Sequence, residues 1–409
     1  MTSPSPSNDR IAARTLGVGL VLLLASLGLA RGFIALVERS SPPETRAHLT
    51  EGSGRLVDFL QALPDIAKRE DAVLVFGSSL IQHGFSPLMF EYVLGVPVTA
   101  YNLGFPGVDP ELQALLARRT AEAFERQGHK ARLSFVEFTP FQATLARGQA
   151  PSFREHSAVK KALLADPRVL ARVALRSPEE ASHLGALWAM GGTSPLAVTS
   201  LLEHRLFEGP VPPWWPVPAE PEPDAERKAW VARIHAGRAA SERRHVPEWD
   251  PVHRGEVRWL YHETLEAYMA WARLRSAPEV LEAERQWRVE TSDLLELHFD
   301  EQQVRFFIEA VRALASVSQE TLVVLAPRNP AWNQPTAEGR ARLAAVLALI
   351  ERETGAPVLD LAESPGFGPE DFIDVTHLNE SSGRPKLSQR LGDVVARRWF
   401  RGTVKDTAP

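Results

Sequence analysis

The chain contains no cysteine. That excludes disulfides, Cys-ligated zinc, iron–sulfur clusters and thiol catalysis, while leaving the compartment open, because a large core needs no covalent staple. No one sign of charge dominates either: 46 Lys and Arg stand against 51 Asp and Glu, a formal net charge of −5. Without a basic field to release phosphate counterions, the composition gives no reason to expect a nucleic-acid partner. Wholesale disorder is excluded too, since 44% of the 409 residues are hydrophobic. The length allows two or three domains, or one domain carrying a large insertion. Chemistry in this chain therefore falls to hydroxyls, carboxylates, imidazoles or a bound cofactor.

The long apolar run is at the start. After Arg10 and Arg14, residues Thr15 to Ala30 carry no charge; Arg31 interrupts, and GFIALV continues to Val37. As a cleaved signal peptide, this run has the right h-region length, with small residues around Gly28-Leu29-Ala30 for cleavage. As an anchor, Leu16 to Val37 spans about 33 Å as a helix, enough to cross if Arg31 snorkels to the far interface. A buried N-terminal helix is a third reading. The continuing apolar stretch favours the anchor. In either membrane reading Arg10 and Arg14 hold the N-terminus in the cytoplasm and place the body outside, in the periplasm or at the cell surface. Residues 1–40 are thus expected to be a cytoplasmic tip with a membrane anchor or signal, followed by a tether to about residue 70.

Beyond the tether a parallel α/β rhythm begins. Ala72–Phe76 (AVLVF) reads as a buried strand ending in Gly-Ser-Ser, then a helix over Pro87–Leu94, a strand within Val96–Leu103, a helix from an Asp109 cap to about Gln127, and a strand over Ala131–Phe138. The rhythm resumes with a helix over Gln302–Val317, a strand over Thr321–Ala326, a helix over Thr336–Thr354, a strand over Pro357–Leu361 and a closing helix over Lys386–Phe400. Five strands separated by helices predict a doubly wound five-stranded parallel sheet, because parallel neighbours require crossovers. It is built from residues 70–150 and 301–402. Residues 151–300 break the rhythm and are expected to form a mostly helical insertion or lid, with amphipathic segments over Asp224–Arg244 and Glu256–Arg275. Gly209–Pro223 (GPVPPWWPVPAEPEP) cannot be helix interior. Trp214 and Trp215 fit a sugar-stacking or membrane-interface role, and fit better as loop aromatics packed on the domain.

Three short segments carry candidate chemistry. Gly77-Ser78-Ser79 lies at the carboxyl end of the first strand, where open α/β sheets bind ligands. A hydroxyl there, just before a helix, is surrounded by backbone N–H groups able to hold an oxyanion, although glycine–serine turns after strands are common. Asp374-Val375-Thr376-His377 puts a carboxylate three residues before an imidazole, so the acid can bond one ring nitrogen and leave the other to accept a serine proton. Asn102-Leu103-Gly104-Phe105-Pro106-Gly107 follows the second strand, and the Pro-Gly turn brings the Gly107 N–H where a side chain would intrude. His83, four residues after Ser79, shares its helix face if the helix starts early; a partly exposed histidine is the simpler reading. His253, His262 and His298 show no zinc-ligand spacing such as His-Glu-x-x-His, so no metal is expected.

Together these segments resemble the SGNH/GDSL hydrolase superfamily. The resemblance covers the sheet, about 70–140 and 300–400, and not the insertion. In that family a Gly-Asp-Ser block supplies the nucleophile; here Ser79 matches the serine and Ser78 replaces the aspartate, a form similar to the membrane-anchored branch of D-alanyl transfer proteins and glycan O-acetyltransferases. The resemblance implies Ser79, His377 and Asp374 as the triad, Gly107 as an oxyanion donor, and Asn102 and Ser78 beside the substrate. The family's Gly-x-Asn-Asp block is missing: Glu137-Phe138-Thr139-Pro140-Phe141-Gln142 stands there, and Thr139, Gln142 and Asn329 are the candidate replacements for the absent asparagine. No Gly-x-Ser-x-Gly elbow is present, which argues against an ordinary α/β-hydrolase.

The resemblance implies an extracytoplasmic serine hydrolase acting on acyl esters through an acyl-enzyme, with no cofactor. Two alternatives stand beside it: an O-acyltransferase that modifies a cell-envelope polysaccharide, and a non-catalytic envelope binding or assembly protein. The expected partners are an acyl ester or acylated glycan, the membrane through the N-terminal helix, and, in the transferase reading, a membrane acyl-transfer partner.

Overall fold

A computed structural model of the chain describes residues 54–189, 249, 251–257 and 264–400, with scattered positions between 15 and 36. Two compact units are present, Met1–Glu51 with Ala158–Pro216 and Gly52–Ser157 with Val217–Pro409. The sheet belongs to the second.

In chain order the elements are α1 (Gly54–Ile66), β1 (Ala72–Gly77), α2 (Ser79–Gly84), α3 (Pro87–Leu94), β2 (Thr99–Gly104), α4 (Pro110–Gln127), β3 (Leu133–Glu137), α5 (Leu145–Gln149), α6 (Pro151–Leu164), α7 (Pro167–Arg176) and α8 (Pro178–Ala189). After the gap in the description come α9 (Leu265–Arg275), α10 (Pro278–Ser292), α11 (Glu301–Ser316), β4 (Thr321–Leu325), α12 (Ala337–Thr354), β5 (Val358–Asp360) and α13 (Gly383–Trp399). The strand order is β2-β1-β3-β4-β5 and every pairing is parallel. The sheet is thus α/β and five-stranded, compatible with a doubly wound fold. β1 pairs with β2 on one side and β3 on the other, so the crossover direction reverses there and opens a crevice beyond the carboxyl ends of β1 and β3.

Helix ends follow their capping residues. Asp109 accepts from the Leu112 amide at 2.8 Å to start α4, which has proline in its first turn and stops at Gly128 in the left-handed conformation. Thr336 caps α12 from Gly339 at 3.0 Å, and Gly355 ends it. Val73, Val75 and Phe135 of the sheet pack with Phe85, Phe90, Leu387 and Leu391 in one core, beneath α3 and α13. α4 and α11 pack against each other, with α11 also against β3 and β4.

The structure departs from the expected outline in three places. The tether is helical in its second part: α1 puts Leu56, Phe59, Leu63 and Ile66 at helical spacing, all buried. β2 starts at Thr99; of the helix expected over Glu256–Arg275, α9 covers Leu265–Arg275, Glu256 and Val257 are not helical, and residues 258–263 lie outside the described residues. Among the described residues no helix is long and apolar enough to cross a membrane. Most of the N-terminal tip and parts of the expected anchor lie outside the described residues; those positions of 15–36 that are described are helical, and Val18, Val21, Leu22, Leu29 and Leu36 are exposed. The Pro- and Trp-rich stretch with Trp214 and Trp215, and the helix expected over Asp224–Arg244, also lie outside the described residues.

Candidate active site

β1 ends at Gly77, where no side chain fits: a Cβ would collide with Ile81 and with the Glu137 carboxylate. Ser78 follows as the N-cap of α2, its Oγ accepting from the Leu80 amide at 3.1 Å. Ser79 is therefore the first residue of α2. Its amide has no intrahelical acceptor, as for any first-turn N–H, and stays beside its own hydroxyl.

The imidazole comes from the loop between β5 and α13. Asp374 Oδ1 accepts from the Thr376 amide at 2.8 Å and the His377 amide at 2.7 Å, folding the segment into a tight turn. The Ile373 amide bonds the His377 carbonyl at 2.8 Å, and Asn329 Nδ2 holds the Asp374 carbonyl at 3.1 Å. This turn aims the ring. His377 Nδ1 lies 2.7 Å from Asp374 Oδ2, and Nε2 lies 2.7 Å from Ser79 Oγ, 298 positions away in the chain. Only the tautomer with a proton on Nδ1 leaves Nε2 free to accept from the hydroxyl. Burial raises the Asp374 carboxyl, yet the charges of His377 and Arg275 and the hydrogen bond from His377 outweigh it and hold it well below the usual carboxylate range.

His83 shares a face of α2 with Ser79, because the helix does begin there. Its ring packs on that of His377, centroids 4.8 Å apart, and its Nδ1 is buried without a hydrogen-bond partner. Burial, then the neighbouring His377, pushes His83 well below the usual histidine range, so it stays neutral beside the base.

The other expected site residues take different places. Ser78 is buried and turned away from the crevice: its amide donates to Glu137 Oε2 at 2.7 Å and its Oγ to the same oxygen at 3.0 Å. Asn102 is wholly buried beneath α2, where Nδ2 donates to the carbonyls of Ile81, Gln82 and Phe85 at 3.1, 3.1 and 2.7 Å while Oδ1 accepts from the Gly104 amide at 3.0 Å. It positions the helix that begins at Ser79. Gly107 adopts φ 66°, the left-handed region expected of the Pro-Gly turn. Of the three candidates for the missing asparagine, Thr139 is committed to Glu137 and Ser78, and Asn329 to the triad loop. Gln142 is buried with an Oε1 that has no partner.

Two groups escaped the sequence reading. Glu137 ends β3 fully buried under the serine turn, accepting from Ser78 and Thr139; burial pushes its carboxyl up, against those hydrogen bonds. An acidic residue closing the LSFVE strand, which has no other charged residue, was the available signal. Arg275 bonds Asp374 from α9, and nothing in its own segment marked it. Leu80 and Thr376, the neighbours of Ser79 and His377, line a narrow cavity with Phe138, Phe141, Leu294 and Ala326; it has about 20 Å³ of room for water-sized groups. Compared with known proteins, the sequence matches no protein-family model and no curated relative.

Proposed function

We propose that this chain is an extracytoplasmic, membrane-anchored serine hydrolase of the SGNH type that acts on acyl esters. The observation that carries the reading is the closed hydrogen-bond chain Ser79–His377–Asp374, with both contacts at 2.7 Å, at the crevice of a 2-1-3-4-5 parallel sheet. His377 takes the Ser79 proton as Oγ attacks the ester carbonyl. Asp374 stabilises the imidazolium that forms, and the amides of Ser79 and Gly107 stabilise the oxyanion. The imidazolium then returns the proton to the departing alcohol, and the acyl-enzyme passes to water. The narrow cavity lined by Leu80 and Thr376, the chain neighbours of Ser79 and His377, suits a short acyl group. The uncharged run Thr15–Ala30 and its apolar continuation to Val37 support the anchor. Assembly of the triad weighs against the non-catalytic alternative. Transfer to an envelope glycan uses the same acyl-enzyme and differs only in the acceptor.

The test is labelling of the chain by a fluorophosphonate. Ser79→Ala is expected to abolish labelling and to lower ester turnover by about a thousandfold or more; labelling equal to wild type removes the nucleophile from this reading. Acetyl esters are expected to turn over faster than hexanoyl esters, and equal rates count against the short acyl group. Added glycan acceptor diverts acyl release to product if the enzyme is a transferase and leaves it unchanged if it is a hydrolase.

A further inference from the structure

The hydrogen-bond chain does not stop at Asp374. Its Oδ2, which accepts from His377 Nδ1, also accepts from Nη2 of Arg275. The same Nη2 is 3.2 Å from Glu284 Oε2, and Glu284 Oε1 accepts from Arg288 Nη2 at 2.8 Å and Nε at 3.0 Å. The side chains are 3% (Asp374), 11% (Arg275), 1% (Glu284) and 11% (Arg288) exposed. Arg275 is the last residue of α9; Glu284 and Arg288 are one turn apart on α10. All three come from the segment that interrupts the sheet.

We propose that Arg275 is a positioning residue for the triad, held in place by Glu284 and Arg288, so that α9 and α10 are part of the active site. The inference rests on the serine-enzyme reading. Buried charges persist where they are paired, and here the pairing alternates: Arg288, Glu284, Arg275, Asp374. With a neutral imidazole the four charges cancel. A proton on His377 adds a positive charge next to the Asp374 oxygen that Arg275 already occupies. Arg275 therefore fixes the carboxylate and competes with the imidazolium for it. The cost of that competition is some loss of imidazolium stabilisation in the transition state. Glu284 moderates this by drawing on the same guanidinium. The other titratable or charged groups around His377 and Asp374 include Tyr268 on α9, His83 on α2, Glu137 at the end of β3 and Arg384 on α13; Arg384 donates to the His83 carbonyl at 2.7 Å.

The signs are opposite for the two sides of the clamp, which makes the test specific. In the full chain, Arg275→Gln removes the competing cation, and the acidic limb of kcat/KM for an ester is expected to move to higher pH by about half to one unit. Glu284→Gln releases Arg275 fully to Asp374, and the limb is expected to move to lower pH. Arg275→Lys keeps the charge and is expected to keep the limb while losing rate. Fluorophosphonate labelling rates, followed across the same pH range, are expected to shift in parallel. A merely structural role lowers the fraction of active protein at every pH and moves neither limb. Normalised profiles that superimpose on wild type for both Arg275→Gln and Glu284→Gln overturn the inference while leaving the Ser79 assignment standing. Labelling of Ser79→Ala equal to wild type is the separate outcome that removes the underlying reading. Should Arg275→Gln fail to fold, Glu284→Gln decides the question, since it leaves Asp374 facing a cation: a limb moved to lower pH supports the inference and an unmoved limb overturns it.

Discussion

Glu137 shows how much of this site is held by residues that never touch substrate. Its carboxylate lies directly under the serine turn, binding the Ser78 amide and hydroxyl and the Thr139 hydroxyl. Removing it leaves those donors buried and unmatched, a cost of about 1–3 kcal/mol for each group so exposed. Glu137→Ala is expected to lower stability by about 2–4 kcal/mol in denaturant unfolding, and to slow fluorophosphonate labelling by about tenfold, through displacement of Ser79. Unchanged labelling in a folded Glu137→Ala protein would show that the turn holds itself. Ser79, Asp374 and His377 were legible in the sequence because each lies in a short local motif whose chemistry is its own. Glu137 and Arg275 were not, because their roles depend on partners 59 and 99 residues away.

At the scale of elements, α2 is the working part, and it is short: six residues. So brief a helix is marginal by itself, and its carbonyl end is secured from outside. Asn102 on β2 supplies one amide to three of its terminal carbonyls, Ile81, Gln82 and Phe85. Gly104 then lets the strand approach so closely that a Cβ there would meet the Gln82 backbone. Arg55 of α1 binds the Asn102 side chain at 3.0 Å and the Gly104 carbonyl at 2.6 Å, stacking over Trp249. Asn102→Ala strips these carbonyls and is expected to cost about 2–4 kcal/mol in urea unfolding. Ester turnover should fall with kcat lowered more than KM is raised, because the nucleophile is displaced; a Tm and kcat within error of wild type would show that the amide is dispensable. The sheet strands and capped helices were readable because buried apolar runs and residues such as Asp109 and Thr336 act locally. α1 was not, since its Leu56, Phe59, Leu63 and Ile66 stripe is short, adjoins a polar tether and contains Pro64. Asn102, implied by the resemblance to be an oxyanion or substrate-binding residue, holds the carbonyl end of α2; which way a strand residue points depends on what crosses above it.

For the whole molecule, Ser79 comes from the first half of the sheet and His377 and Asp374 from the loop before the last helix. The site therefore exists only while the closing segment is docked. Two features fasten it: the tight turn made by Asp374, and Asp371, whose Oδ2 accepts from the Gly368 amide at 2.9 Å and from Lys386 of α13 at 2.7 Å. Burial raises Asp371, but the hydrogen bonds from Lys386, Ser382 and Gly368 outweigh it and hold it below its usual 3.8, as Asp374 is held well below. A carboxylate depressed in the folded state contributes stability that is present above the unfolded value and is lost as pH falls through the folded one. Glu137 has the opposite sign: its raised carboxyl contributes fully below its usual 4.5, and that contribution is lost as pH rises through the folded value. The closing segment therefore contributes to the acid side of the stability curve, and Asp71 before β1, which burial raises but Arg69 and Thr99 hold low, contributes in the same sense. Asp371→Asn is expected to lower Tm at pH 7 and to flatten its fall below about pH 4, so that the mutant and wild-type curves converge in acid. Thermal unfolding by circular dichroism between pH 7 and pH 3 measures this directly. Curves that stay parallel across the range would mean that Asp371 is not linked to folding, and that the closing segment is held by its apolar contacts through Leu387 and Leu391 alone.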